Sequence, residues 1–506
     1  MVRAQRVPIL IFVLCLLVFA LQPYKVGFEK GHHGWVSAHV LAQIVNAVPE
    51  NLFLGFTNKL KTASGALDYY YFDRYPVLFS GLSHLVLEGF RDNLAHYIYA
   101  GRQWMNVVFV VLGLLVLRLN LRLTDRKEKA WAATLFVLSS SYLMRYKDMV
   151  HFDQPALVGC LLVLNGIVDF ELTKSKKYLL VGSLLGPLLG RGYSVIFFLL
   201  FWVLYRGWKD VAKAKKGIRS VRVPVLFFLL SFPLPAAMLA WNIAGEAKIR
   251  NVPWQETSIV ISARRRLGMD DYVHKDNTVK HFSWPSYVNN QLQRTLDYLT
   301  PYPLFAVHVK NYKRPVTHYL SLLPKAIYQI LLLVFLYKFF RGFWRTTAAK
   351  RRELFTVLIG GGALWLLVMR NLAHYHEYVT LYLIGLLMVV WISLTDYLEG
   401  TGKPYLKIAL SLFLVSVGAN FALETFRAQE VNWQPGEFGK VRAVMEQNNL
   451  ESFYLKEDYL VEFLDGVPFG ENFYLSEFAA TYTRSQADIV IERGAGDRTL
   501  NWTINK

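Results

Sequence analysis

The sequence predicts an all-α membrane protein with about eleven transmembrane helices, interfacial helices in its first long outer loop, and a small C-terminal α/β domain. Of its 506 residues, 54% are hydrophobic and 18% are charged, whereas soluble domains contain about 45–50% apolar and about 25% charged residues. Long apolar runs recur along the chain, as spanning helices require. Lysine and arginine cluster in alternate connections between these runs, which is typical of a protein that crosses the membrane repeatedly.

The predicted spans follow from these apolar runs. The first run follows Arg3 and Arg6, and Gln22-Pro23-Tyr24 is a poor cleavage site, so we predict an anchor rather than a signal peptide that is removed. The predicted spans are 7–22, 104–121, 130–146, 151–171, 177–190, 193–206, 224–243, 319–340, 354–370, 378–396 and 405–422.

The basic connections predict the orientation. Because cytoplasmic loops are enriched in lysine and arginine, the basic connections around 122–129, 174–177, 206–222, 341–352 and 403–407 place the N-terminus in the cytoplasm and the C-terminus outside. The same rule favours two short helices over one broken helix in 177–206. Much of the net charge of +19 is therefore a topology signal, and it requires no nucleic-acid partner.

Three outer segments are too long to be simple connectors: 23–103, 244–318 and the tail 423–506. We predict a transmembrane domain over 1–422 and an extracytoplasmic α/β domain over 423–506, with a helix at 436–449 and strands at 452–455 and 489–491. In the first outer loop, apolar residues at helical spacing from Trp35 to Val45, and again over 77–90, predict two helices lying in the membrane interface.

Polar residues that could carry chemistry lie in this first outer loop. They are Glu29, His32, His33, Asp73 and Arg74, with Asp68 nearby. Each one alone could simply anchor the interface or form a hydrogen bond. Their clustering favours a functional loop on the outer face.

Later connections carry a second set of candidates. Asp153 begins an apolar run, where an acid either faces a cavity or caps the helix, with Lys147 or Arg145 as a possible ion partner. Arg191 and Arg370 could hold a phosphate or extend to the interface. His374, His376 and Glu377 follow Arg370, but their spacing fits no strong zinc signature, so we predict neither a metal nor another cofactor.

This layout resembles the GT-C superfamily of integral-membrane glycosyltransferases, which includes the protein O-mannosyltransferases and the aminoarabinose transferases. The resemblance rests on the cytoplasmic N-terminus, the acid just beyond the first span, the outer C-terminal domain and several motifs. These motifs are 31–39 (GHHGWVSAH), 71–76 (YFDRYP), 151–155 (HFDQP) and 370–378 (RNLAHYHEY).

The resemblance implies a reaction and roles for the candidate residues. The donor would be a polyprenyl-phosphate sugar, and the sugar would be transferred with inversion to a glycan, lipid or protein acceptor at the outer face of the bacterial inner membrane. Glu29 or Asp73 would be the base, Asp153 would orient the site, and Arg191 or Arg370 would hold the phosphate. The remaining residues that would contact substrate are His32, His33, Arg74, His374, His376 and Glu377.

The sequence departs from the family at the first-loop acid, which is usually aspartate, often beside a second acid. Here Glu29 is followed by Lys30, and the chain contains neither a Trp-Trp-Asp tripeptide nor an Asp-x-Asp pair, which disfavours an oligosaccharyltransferase-like member. The alternatives are an O-antigen polymerase or ligase, suggested by Arg264-x-x-x-Gly268, and a lipid-linked sugar transporter. A transporter should carry charges deep within many spans, whereas here they gather at the outer ends.

Overall fold

The computed structural model describes most of the chain. The described residues are 17, 20–29, 32–48, 54–61, 64–71, 78–212, 220–267, 269–270, 272–273, 279–280, 282–311, 315–346, 349–455, 471–481, 484–493 and 499–505. Nearly all of the predicted first span 7–22, together with Asp73 and Arg74, lies outside them.

The described part of the chain is mostly helical. Its helices are α1 His32–Val45, α2 Leu78–Leu87, α3 Leu94–Leu123, α4 Lys127–Leu138, α5 Ser141–Tyr146, α6 Asp153–Thr173, α7 Lys177–Leu185, α8 Ser194–Ala212, α9 Arg222–Leu230, α10 Pro233–Arg250, α11 Ser258–Leu267, α12 Trp284–Tyr298, α13 Tyr302–Asn311, α14 Pro315–Thr346, α15 Ala349–Val368, α16 Arg370–Tyr375, α17 Ile384–Gly400, α18 Tyr405–Val431, α19 Trp433–Gln447 and α20 Glu471–Tyr474.

Five helical stretches of the described chain are long and apolar enough to cross a membrane. They are Leu94–Leu123, Asp153–Thr173, Arg222–Arg250, Glu377–Gly400 and Tyr405–Gln429. Each of them contains one predicted span or most of it. The count of about eleven remains a prediction.

Two predicted spans are not single helices. The run 130–146 is divided between α4 and α5, because Ser140 has an extended backbone conformation. The run 224–243 is divided between α9 and α10 at Ser231–Phe232, where Pro233 begins the next helix. The run 177–206 forms two helices, α7 and α8, as predicted.

Glycine allows two predicted spans, α6 and α7, to pack closely. A Cβ on Gly166 would lie 2.4 Å from the backbone nitrogen of Leu179, and one on Gly182 would lie 2.8 Å from that of Val163. Small residues let helix backbones approach in membranes, where the hydrophobic effect contributes little to helix association. This packing fixes the start of α6, and therefore Asp153, next to the turn that follows α7.

A six-stranded sheet joins the first outer loop to the tail. Its strands are ordered β2-β1-β6-β5-β7-β8. β1 pairs antiparallel with β2 and parallel with β6, β5 lies parallel to both β6 and β7, and β8 is antiparallel to β7. The strands are β1 Phe56–Lys61, β2 Leu67–Tyr71, β5 Ser452–Leu455, β6 Ala479–Thr481, β7 Ile489–Arg493 and β8 Leu500–Ile504, and a separate hairpin contains β3 Tyr272–Val273 and β4 Val279–Lys280.

The predicted helix and strands of the tail lie close to their expected positions, in α19, β5 and β7. The β1–β2 hairpin was not predicted. It belongs to the first outer loop, yet it completes the sheet of the tail. The sheet therefore uses residues from both sides of residue 422. The division of the chain into two domains at that residue remains a prediction.

The two helices predicted for the first outer loop both form, but their surroundings differ. In α1 the residues from Val36 to Val45 are buried inside the protein. In contrast, α2 and the turn after it expose Leu82, Leu85, Val86 and Phe90. An exposed apolar face of this kind suits a helix in the membrane interface.

Candidate functional site

A polar cleft lies at the start of the first outer loop. It brings together residues from the 20–29 segment, from α1 and α3, from the 145–149 region and from the end of α18. Its lining residues are Glu29, Gly34, Ser37, Arg102, Arg145, Tyr146, Asp148, Met149 and Arg427. The Glu29 side chain is 25% exposed, so a carboxylate in this cleft is accessible.

The ammonium group of Lys25 lies beneath the cleft and holds three carboxylates. The Lys25 Nζ atom is 3.3 Å from Glu29 Oε1, 2.7 Å from Asp148 Oδ2 and 2.6 Å from Glu424 Oε2. Its side chain is fully buried, as are those of Asp148 and Glu424 to within a few per cent. A buried cation with three acidic partners fixes the positions of all three acids.

Further cations surround the same acids. Arg102 donates to the Gly27 carbonyl at 2.9 Å and lies 3.4 Å from Asp148. Arg427 lies 3.2 Å from Glu424. The three arginines that line the cleft therefore exceed its two carboxylates in charge, so the cleft favours an anion.

The neighbouring charges control the ionisation of the acids. Burial alone would raise the pKa of Glu29, but Lys25, followed by Arg427 and Arg102, lowers it well below its ordinary value. The pKa of Asp148 is lowered in the same way, against burial, by Lys25, Lys147 and Arg102. The pKa of Lys25 is raised, because Asp148 and Glu424 outweigh its burial. Glu29 and Asp148 are thus carboxylates, and Lys25 is an ammonium ion, at neutral pH.

Asp153 lies in a second, buried cluster. One carboxylate oxygen, Oδ1, accepts a hydrogen bond from the Tyr382 hydroxyl at 2.8 Å and lies 3.2 Å from an Arg191 nitrogen. The other, Oδ2, pairs with His151 Nδ1. The Arg191 guanidinium also lies over the Tyr378 ring, 5.4 Å from its centroid. All five side chains are buried.

The backbone holds Arg191 in this cluster. Its N–H donates to the Phe152 carbonyl at 3.1 Å, and the preceding Gly190 has a φ of +58°. A Cβ on Gly190 would lie 2.2 Å from that same carbonyl oxygen. Glycine is therefore required at this turn both for its conformation and for its close approach. The predicted partners of Asp153, Lys147 and Arg145, were wrong: Lys147 bonds to Gln22 and Arg145 pairs with Glu377.

Glu377 connects the two clusters. Its Oε1 atom accepts a hydrogen bond from the Tyr146 hydroxyl at 2.6 Å and lies 2.9 Å from Arg145, and both of these residues line the cleft. The next residue, Tyr378, lies beneath Arg191. A movement of Glu377 would therefore affect both the cleft and the Asp153 cluster.

Arg370 and His374 lie in a third group, formed with the start of α12. The Arg370 guanidinium lies 5.3 Å from the Phe282 ring centroid and 5.6 Å from that of Trp284. The His374 ring is 5.7 Å from Phe282. Burial lowers the pKa of His374, and the positive charge of Arg294 lowers it further. This histidine is neutral at pH 7.

The structure places the remaining candidates as follows. The His376 ring stacks on Tyr378 with centroids 5.2 Å apart. His32 and His33 are the first two residues of α1, directly after the Glu29 segment, but their side chains lie outside the described residues. In the part of the chain that the structure describes, no three histidine, cysteine, aspartate or glutamate side chains converge on a point that could hold a metal ion.

Sequence reasoning found Glu29 but missed most of its surroundings. Lys25, Arg102, Asp148, Glu424 and Arg427 come from four distant parts of the chain, and none of them belongs to a recognisable motif. One signal was present: Glu424 lies just beyond the last predicted span, in the helix α18 that contains this span. An acid in that position needs a partner, and the partner is Lys25.

The sequence matches no family model, and it matches no curated protein significantly. Its structure, however, is similar to those of solved membrane enzymes. The ArnT of Cupriavidus metallidurans, solved with undecaprenyl phosphate bound, aligns over 96% of this chain and 92% of its own, with a TM-score of 0.51 and 9% identity. The oligosaccharyltransferase of Archaeoglobus fulgidus, solved with zinc and sulfate, aligns over 94% of this chain, with a TM-score of 0.50 and 12% identity.

The two alignments differ in extent. This chain spans less than two thirds of the archaeal enzyme, 62% of its length, but nearly the whole of ArnT. At such low identity the likeness concerns the fold, and it agrees with the mostly helical, polytopic fold predicted from the sequence. The chain therefore has the fold of the GT-C superfamily of integral-membrane glycosyltransferases.

Proposed function

We propose that this protein is a membrane glycosyltransferase that moves a sugar from a polyprenyl-phosphate donor to an acceptor at the outer face of the membrane, with inversion at the anomeric carbon. The observation that carries the proposal is the cleft, in which the accessible carboxylate of Glu29 lies among Arg102, Arg145 and Arg427. A sugar transfer from a lipid phosphate needs these two elements: cations for the leaving phosphate and a carboxylate for the acceptor hydroxyl.

The donor phosphate is assigned to the arginines of the cleft. A planar guanidinium binds phosphate through two parallel hydrogen bonds, so it can stabilise the charge that grows on the leaving group. Arg145 and Arg427 line the cleft with Glu29 and are each 20% exposed, whereas Arg191 is 1% exposed and does not line the cleft. We therefore favour Arg145 and Arg427 as the phosphate ligands. Arg191 would support the site from the buried Asp153 cluster, and Arg370 would contact the donor at the outer turn.

Glu29 is assigned as the base, and phosphate binding would activate it. With an empty cleft, Lys25 and Arg427 lower its pKa, which makes it a weak proton acceptor. A bound phosphate would neutralise part of the charge of Arg427. The pKa of Glu29 would then rise, and the carboxylate would become a stronger base when the donor is in place. Asp73, the alternative base, lies outside the described residues and remains open.

The other predicted residues take supporting roles in this proposal. Asp153 orients Arg191, and Glu377 orients Arg145, as their contacts support. His32, His33, Arg74, His374 and His376 are proposed to contact the sugar, the acceptor or the lipid phosphate. The enzyme would lie in a bacterial inner membrane, with its N-terminus in the cytoplasm and its tail outside, and would need no metal. The acceptor would be a glycan, a lipid or a protein.

The experiment is a transfer assay in liposomes with a polyprenyl-phosphate sugar, read as release of polyprenyl phosphate. Glu29→Gln keeps the shape of the side chain but removes the proton acceptor, so the rate should fall roughly 10²- to 10⁴-fold. Glu88→Gln, an exposed glutamate of the same outer loop, is the matched control and should retain the wild-type rate. Asp73→Asn is measured in parallel. A wild-type rate in Glu29→Gln together with a large loss in Asp73→Asn would move the base to Asp73.

A further inference from the structure

The structure contains a second cavity, and none of its lining residues lines the cleft. It has a volume of about 400 Å³, which is within the size range of ligand sites. The end of α6, the last turns of α8 and the beginning of α15 form its walls. Its lining residues are Glu171, Lys174, Tyr205, Arg206, Ala349, Lys350, Glu353, Leu354 and Val357.

Most charges of this cavity are paired, but two cations are not. Arg206 donates to Glu171 Oε1 at 2.8 Å, and Lys209 pairs with Glu353. Among the described residues, neither Lys174 nor Lys350 forms an ion pair, although Lys174 lies 5.0 Å from the centroid of the Phe170 ring. The cavity thus has two exposed ammonium groups available to an anion.

The backbone at Lys174 supports a role for its side chain. Lys174 follows the last residue of α6 with a φ of +63°, a left-handed conformation that a helix end usually assigns to glycine. A lysine accepts a conformational cost there. This conformation places the Lys174 side chain at the cavity.

The position of the cavity indicates where its ligand comes from. Its lining residues lie in or next to three basic connections, 174–177, 206–222 and 341–352, which the charge pattern assigns to the cytoplasmic side. The same stretch of α8 exposes Leu204, Trp208 and Val211. Tyr205 lines the cavity, and the Trp208 ring lies 6.1 Å from the Tyr205 ring, measured between centroids. An apolar helix face with such aromatic residues beside a basic cavity is the arrangement expected at the headgroup level of a membrane.

We propose that this cavity binds the phosphate headgroup of an anionic phospholipid of the cytoplasmic leaflet, with Lys174 and Lys350 as its ligands. Basic pockets between membrane helices on that side recognise such headgroups. The acyl chains would lie along the exposed apolar face of α8. This site is independent of the proposed transferase reaction.

The test measures lipid binding rather than activity. Purified full-length protein in detergent is titrated with dioleoyl phosphatidylglycerol and, separately, with dioleoyl phosphatidylcholine, and bound lipid is counted by native mass spectrometry. Lys174→Gly suits the left-handed backbone while removing the amine, and it is combined with Lys350→Gln. The matched control is Lys403→Gln with Lys407→Gln, two exposed lysines of another connection on the same predicted side.

We expect one saturable phosphatidylglycerol site in the wild type and in the control. In the Lys174→Gly/Lys350→Gln protein, the affinity of this site should be roughly twenty-five-fold lower, about fivefold for each lysine near the lipid surface. Unfolding temperatures without added lipid should not fall below that of the wild type in any of the variants. Equal affinity in the double variant, no preference over phosphatidylcholine, or equal occupation by inorganic phosphate alone would each overturn the proposal.

Discussion

Lys25→Met should reveal how strongly the buried cation beneath the cleft controls the acids around it. Methionine retains the length and apolar stem of lysine, so packing changes little, but the ammonium group is lost. Three carboxylates then lose the charge that lies within 3.3 Å of each of them. Arg102 remains close to Asp148, and Arg427 remains close to Glu424, so each of these two acids keeps an arginine partner.

The expected loss of stability at pH 7 is about 3–5 kcal/mol, the range for removing one partner of a buried ion pair. The loss should depend on pH. In the wild type, the pKa values of Glu29 and Asp148 lie below their ordinary values, so their stabilisation is present above pH 4.5 and is lost as the pH falls through the lowered values. Without Lys25, burial raises the pKa values of Glu29 and Asp148, so these acids take up protons at a higher pH than in the wild type. The difference in the free energy of unfolding between the wild type and Lys25→Met should therefore become smaller as the pH falls from 7 to 4.

Thermal unfolding in detergent, followed by tryptophan fluorescence at several pH values, measures this difference. Lys440→Met is the matched control, because Lys440 is 62% exposed and pairs with Glu437 at 2.8 Å on the surface. Exposed pairs contribute about 0–1 kcal/mol, so this control should unfold almost as the wild type does. A Lys25→Met protein that behaves like the control, or whose deficit does not change with pH, would refute the ion-pair account of the cleft.

Two further predictions concern the geometry of the site and its pH dependence. Gly190→Ala should destabilise the protein by about 1–3 kcal/mol and reduce transfer, because its Cβ would meet the Phe152 carbonyl at 2.2 Å and displace Arg191. Gly65→Ala is the control, because Gly65 also has a positive φ, of +83°, but has open space around it. Equal unfolding temperatures and transfer rates in the two variants would contradict the prediction. The acid side of the wild-type pH profile of kcat/KM, which reports the free enzyme, should fall only below pH 4.5, because Glu29 must be ionised to act as a base and its pKa is lowered in the empty cleft. A fall in kcat/KM centred between pH 6 and 7 would assign the limiting group elsewhere.

The sequence was most informative where periodicity and charge act over long segments. Apolar runs located the long helices α3, α6 and α18, because burial or lipid contact must hold over many consecutive residues. The position of Glu29, directly after the first predicted span, identified it as a candidate, and the structure places it in an accessible cleft. Asp153 was identified because an acid at the start of an apolar helix needs partners.

The remainder of the site depends on contacts that a sequence does not display. Lys25 and Glu424 are 399 positions apart, and no local pattern joins them. Arg191 was a candidate phosphate ligand because of its predicted outer turn, but no sequence pattern indicated that the close packing of α6 and α7 would bring it to Asp153. The β1–β2 hairpin was missed for the same reason: its partner strand β6 lies more than 400 residues later in the chain.

We propose above that the cleft holds the donor phosphate beside Glu29. A structure of the full-length protein with a polyprenyl phosphate, determined by cryo-electron microscopy in a lipid nanodisc, tests it directly. We expect phosphate density within about 3 Å of guanidinium nitrogens of Arg145 or Arg427, the distance of a charge-assisted hydrogen bond. Phosphate density bound instead at the Arg370 group, with the cleft around Glu29 empty, would contradict it.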